Sequence, residues 1–119
     1  MRALKIQEKA KKVGFDWNNP QDCLDKVNEE YNEFLESIMG GSKQEMEHEL
    51  GDMLFALINM SRFLKINPDE ALRKANSRFL SRFKYIEESL KDREKSFKET
   101  TLEELEALWQ EAKTMQNGS

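Results

Sequence analysis

With 119 residues, a formal net charge of −4, 35% charged and 38% hydrophobic residues, the chain has material for one modest core on a soluble domain. No apolar run approaches the roughly eighteen residues of a membrane span. The acidic balance argues against DNA or RNA polymers as the main partner, because such binders need a basic excess to displace counterions, whereas a free nucleotide needs only a local basic cluster or a divalent cation.

Residues 2–13 read as a first helix, with Leu4, Ile6, Ala10 and Val13 partly aligned. Its opening Met1-Arg2-Ala3-Leu4-Lys5 carries no apolar signal core, so a cytoplasmic setting is expected. Gly14 to Asn19 form a connector holding Phe15 and Trp17, either packing residues or aromatics exposed for stacking. Asn19 is placed to cap, and Pro20 to open, a second helix in which Leu24, Val27, Tyr31, Phe34, Leu35 and Ile38 form the apolar stripe. Cys23, the single cysteine, is expected as a reduced, partly buried thiol.

Gly40-Gly41 ends that helix, and Ser42-Lys43-Gln44-Glu45 starts the third as a capping box. Its middle, Met53 to Ile58, is apolar all round and is expected to be enclosed by neighbours. Asn67-Pro68-Asp69-Glu70 opens a long fourth helix through Leu90, Lys91 to Lys98 form a charged exit, and Thr101-Leu102-Glu103-Glu104 opens a fifth. Asn117-Gly118-Ser119 is expected to fray. No stretch alternates with period two, so the prediction is an all-α bundle of about five helices, a single domain over residues 1–119. Its small core favours a homodimer.

Two acidic clusters stand out on this frame. Glu29-Glu30-Tyr31-Asn32-Glu33 lies on the second helix and Glu49-Leu50-Gly51-Asp52 on the third, with 15 residues between Glu33 and Glu49. At 100° per residue, Lys26, Glu30 and Glu33 fall within about 60° of one another, and Glu49 and Asp52 about 60° apart, beside the apolar faces. Either cluster alone suits a solvated glutamate-rich face. Two of them on helices joined by a short turn would converge, repel and require a cation, and all-oxygen donors favour Mg²⁺ or Mn²⁺. Gly51 weakens its helix by about 1 kcal/mol and suggests a close approach to the backbone.

The pattern Glu-Glu-x-x-Glu, a gap, then Glu-x-x-Asp resembles the signature of the all-α nucleotide pyrophosphohydrolases, and most of all the MazG family. The likeness runs from about Ile6 to Ala112. It includes Val13-Gly14-Phe15-Asp16-Trp17, the run Glu49 to Leu57, Ala71 to Asn76 followed by Arg78-Phe79 and Arg82-Phe83, and Leu108 to Lys113. The chain looks most like the second domain of tandem family members, whether as a natural single domain or an excised one.

The resemblance implies Mg²⁺-dependent hydrolysis of nucleoside triphosphates to monophosphate and pyrophosphate, used in house-cleaning of the nucleotide pool. It implies Glu30, Glu33, Glu49 and Asp52 as metal ligands and catalytic residues, with Glu29 an accessory carboxylate. Lys26, Lys74, Asn76, Arg78 and Arg82 would reach phosphates, and Trp109 and Trp17 would contact the nucleotide. Family members assemble as dimers. The basic residues of the fourth helix also read as solvated charge, Trp109 as a packing anchor, and His48 as a polar neighbour of Glu49. The competing reading is a non-catalytic helical dimerisation module. It leaves the acidic pairs unexplained and would show no metal-dependent nucleotide binding. A di-iron bundle would want Glu-x-x-His pairs, which do not occur.

Overall fold

Capping side chains set the helix boundaries. In the computed structural model, which describes residues 1–117, α1 spans Arg2–Lys12, α2 Pro20–Ile38, α3 Lys43–Phe63, α4 Pro68–Asp92 and α5 Leu102–Asn117, and no strand occurs among the described residues. The Asn19 side chain accepts from the Asp22 N–H at 2.9 Å, and Pro20 follows where a missing N–H costs nothing. Ser42 Oγ accepts from the Glu45 N–H at 3.1 Å, and Thr101 Oγ1 from the Glu104 N–H at 3.1 Å. Asn67 Oδ1 serves the N–H groups of Asp69 and Glu70.

The α2–α3 turn depends on a close approach. A Cβ on Gly41 would stand 2.7 Å from the Ser37 carbonyl oxygen, to which the Gly41 N–H donates. Gly14, with φ +91°, turns the chain after α1 in the left-handed region that favours glycine.

The chain divides into two compact units, Met1–Ala71 and one that opens at Leu72, so the boundary falls within α4. In the first, α2 and α3 pack as an antiparallel hairpin. Cys23 near the start of α2 meets Asn59 near the end of α3, and Glu30 further along α2 meets Glu49 and Asp52. α1 packs on α3, held by Gln7 Nε2 donating to the Phe55 carbonyl at 3.0 Å. In the second, Ile86 and Leu90 of α4 are buried with Leu108 of α5, with Leu105 and Trp109 packed beside them. The rings of Phe79, Phe83 and Phe97 follow one another along this unit.

Several expectations are revised. The buried positions of α2 are Cys23, Glu30 and Ser37, seven apart, while Leu24, Tyr31, Leu35 and Ile38 from the expected core stripe stay exposed. The hairpin is thus sealed by a partly polar line, with Val27 and Phe34 of the apolar stripe half-buried and the other four stripe residues outside it. The middle of α3 is likewise not enclosed within one chain, since Leu54, Phe55 and Leu57 are exposed and only Ala56 is buried. A 3₁₀ turn, Phe97–Glu99, occupies the expected charged exit, closed by a reciprocal Ser96–Glu99 capping box. Asn117 still belongs to α5, and the fraying expected of Gly118 and Ser119 lies outside the described residues. No helix among the described residues is long and apolar enough to cross a membrane.

Candidate metal centre and adjoining cavity

The antiparallel register of α2 and α3 brings the acidic clusters level. Glu30, Glu49 and Asp52 each offer a carboxylate oxygen within 4.8 Å of the other two. Glu30 is only 5% exposed, and its Oε2 and that of Glu49 are buried without a hydrogen-bond partner. A buried carboxylate oxygen without a donor is costly, so the arrangement fits a cation better than an empty seam. Glu33 stands beside the trio: the charge of Glu30 first, then loss of solvent and the charge of Glu49, raise its pKa above the ordinary value. The donors are all oxygen and acceptor-only when ionised, which suits a hard divalent ion such as Mg²⁺.

Lys26, one turn before Glu30, donates to it at 2.9 Å and approaches Glu29 at 3.6 Å; its hydrogen bond to Glu30 is the main cause of its raised pKa. Glu29 therefore faces the lysine from the solvent side, outside the trio. His48 Nε2 lies 3.3 Å from Asp52 Oδ2 on the exposed side of α3.

Beside the carboxylates lies a cavity of about 440 Å³ between α1, the connector and α3. Ile6, Ala10, Phe15, Trp17, Phe55 and Ala56 give it apolar walls, while Lys26, Glu30 and Asp52 are shared with the acidic cluster. Its remaining polar lining is Gln7, Asp16, Asn59 and Arg62. Arg62 grips both Asp16 oxygens, with Nη1 at 3.1 Å from Oδ2, and donates to Asn59 Oδ1 at 2.6 Å. That grip, opposed by burial, lowers the Asp16 pKa below the usual value. Asn59 Nδ2 in turn points to the Cys23 sulfur at 3.5 Å, and burial raises the pKa of that thiol.

Trp17 thus lies on the cavity, together with Phe15. Lys74, Asn76, Arg78, Arg82 and Trp109 belong to the second unit. There Arg82 is engaged: its guanidinium lies 5.0 Å over the Trp109 ring and its Nε donates to Gln116 Oε1 at 2.6 Å. Lys74, Asn76 and Arg78 are exposed along α4. Gly51 has nothing within 4 Å of an added Cβ, so no neighbour in the chain needs its bare backbone. Gln7, Asp16, Asn59 and Arg62 have no role in the sequence reading, because the contacts of Gln7 with Phe55, Asn59 with Cys23 and Arg62 with Asp16 span 36 to 48 positions, leaving only Asn59 and Arg62 at helical spacing.

A model of the MazG nucleotide pyrophosphohydrolase domain matches residues 18–86. The chain is 41% identical over 111 residues to a nucleoside triphosphate pyrophosphohydrolase/pyrophosphatase MazG of Thermotoga maritima, covering 93% of this chain and 42% of that protein. It is 38% identical over 117 residues to a nucleoside triphosphate pyrophosphohydrolase of Escherichia coli K12, covering 95% of this chain and 44% of that protein. The chain therefore spans less than half the length of these relatives.

Proposed function

The chain belongs to the MazG nucleotide pyrophosphohydrolase family, and from that premise we propose that it hydrolyses nucleoside triphosphates, ordinary or modified, to monophosphate and pyrophosphate in house-cleaning of the nucleotide pool. The observation that carries the reading is the convergence of Glu30, Glu49 and Asp52 within 4.8 Å, with two buried carboxylate oxygens unpartnered. These three, with Glu33 beside them, would hold Mg²⁺, and Mn²⁺ would suit the same donors. The bound ion would supply Lewis acidity toward the phosphate chain and make water easier to deprotonate.

The chain's own residues provide the rest. A water attacks the α-phosphorus in line, its proton passes to Glu30 or Glu33, and the bond from Pα to the bridging oxygen breaks so that pyrophosphate leaves with the electron pair. Lys26, at the mouth shared by the carboxylates and the cavity, neutralises phosphate charge. Glu29 tethers Lys26 from outside. Nucleotide contact by Trp17 is supported by its place on the cavity wall. For Lys74, Asn76, Arg78, Arg82 and Trp109 it rests on the family likeness, as does treating residues 1–119 as one working domain. The exposed faces of α2 and α3, with Tyr31, Ile38, Leu54 and Leu57 each near half-exposed, support a homodimer.

The test is a pyrophosphate-release assay over ordinary and modified triphosphates, with Mg²⁺ and with chelator. Glu30→Gln, Glu49→Gln and Asp52→Asn are expected to lower kcat/KM on the order of 100-fold or more. Unchanged turnover in two of the three would refute the assignment.

A further inference from the structure

Gln7 is a glutamine 6% exposed in the lining of this cavity, which it shares with Ile6, Ala10, Phe15, Trp17 and Phe55. One end of its amide meets the Phe55 carbonyl oxygen at 3.0 Å. Only the amino end can donate to a carbonyl, so that contact fixes the oxygen as the other end. This oxygen, Oε1, is buried and has no hydrogen-bond partner. The neighbouring polar groups do not supply one: the Asn59 amide is engaged with Cys23 and Arg62, the Arg62 Nη groups are engaged with Asp16 and Asn59, and Arg62 Nε is itself buried without a partner and makes no bond to Oε1. A residue of the cavity lining therefore carries a fixed, unsatisfied acceptor, and the cavity volume of about 440 Å³ accommodates a nucleoside.

We propose that Gln7 is a specificity-determining residue whose side-chain oxygen reads an N–H donor on the base of a nucleotide seated in this cavity. The inference rests on the nucleotide reading above. A neutral acceptor on an apolar wall disfavours phosphate, and Phe15, Trp17 and Phe55 offer flat surfaces for a base. Lys26, Glu30 and Asp52 at the shared edge set the phosphate end, which directs the base toward Gln7. A nucleotide lacking the donor leaves Oε1 buried and unpaired, so it binds less well.

The experiment measures dissociation constants of α,β-methylene triphosphates, with Mg²⁺ present, in pairs that differ by one N–H. The pairs are adenosine against purine riboside, cytidine against its 4-desamino analogue, and uridine against 3-methyluridine. Wild-type protein is expected to favour the donor-bearing member of at least one pair by about 5- to 100-fold. Gln7→Met, which has no strong acceptor, should shrink that ratio below about 3-fold. Equal affinities in every pair, as a ribose hydroxyl on Gln7 would give, overturn the proposal, and so does a ratio that survives in Gln7→Met. Pyrophosphate release by the wild type is followed alongside. Release without pair discrimination removes the role of Gln7 and leaves the hydrolase reading intact; discrimination without release does the reverse.

Discussion

Glu49 and Asp16 are both half-hidden carboxylates, yet their surroundings give them opposite energetic signs. Glu49 stands among other acids with one oxygen unpartnered, so its charge strains the metal-free protein. Glu49→Gln is therefore expected to raise the melting temperature in chelator. It should also lose most of the Mg²⁺-induced stabilisation of the wild type, which reaches about 2.7 kcal/mol at a hundredfold excess over Kd. Calorimetric melts with and without Mg²⁺ check both signs, and a variant destabilised in chelator contradicts the repulsion. Asp16 is instead held by Arg62, with side-chain exposures of 16% and 10%. Its folded pKa lies below the ordinary value of 3.8, so its contribution is fully present above that value and is lost as pH falls through the folded one. Asp16→Asn should cost about 1.5–3 kcal/mol at neutral pH. The gap to wild type should stay level down to about pH 4 and narrow as the pH falls further; a gap that widens on acidification in denaturant melts would count against the ion pair. The carboxylates were legible in the sequence because helical spacing alone puts Glu30 with Glu33 and Glu49 with Asp52. The Asp16–Arg62 pair was not, since 46 positions separate its members and only the tertiary fold joins them.

Helix boundaries were equally legible where a side chain caps them. Asn19, Ser42, Asn67 and Thr101 each accept the backbone N–H groups their positions suggested. The faces were less so. Periodicity finds an apolar stripe, but it does not say whether that stripe meets a helix of the same chain or a surface outside it. Leu24, Tyr31, Leu35 and Ile38 remain exposed, while the seam with α3 is sealed by Cys23, Glu30 and Ser37. Gly51 gives the clearest test at this scale. Exposed within α3 and with open space around an added Cβ, it weakens the helix with no return inside the chain. Gly51→Ala is expected to stabilise the protein by about 1 kcal/mol, measured by denaturant unfolding. A stabilised variant that loses turnover would mean that substrate or a second copy approaches the backbone there, and a destabilised one would contradict the open geometry.

For the molecule as a whole, an acidic chain with no membrane-spanning helix among the described residues concentrates its unpartnered buried carboxylate oxygens on one hairpin. The exposed leucines of that hairpin are the reason to expect a second copy. Leu54→Asp should shift the protein to a monomer in sedimentation velocity, whereas a wild type that already sediments as a monomer would remove the dimer from the account. The most direct measurement of the central claim is ³¹P NMR of a nucleoside triphosphate incubated with the protein and Mg²⁺. The account predicts monophosphate and pyrophosphate in equal amounts, with no reaction in chelator. Orthophosphate with diphosphate, or turnover that continues without a divalent ion, would contradict it.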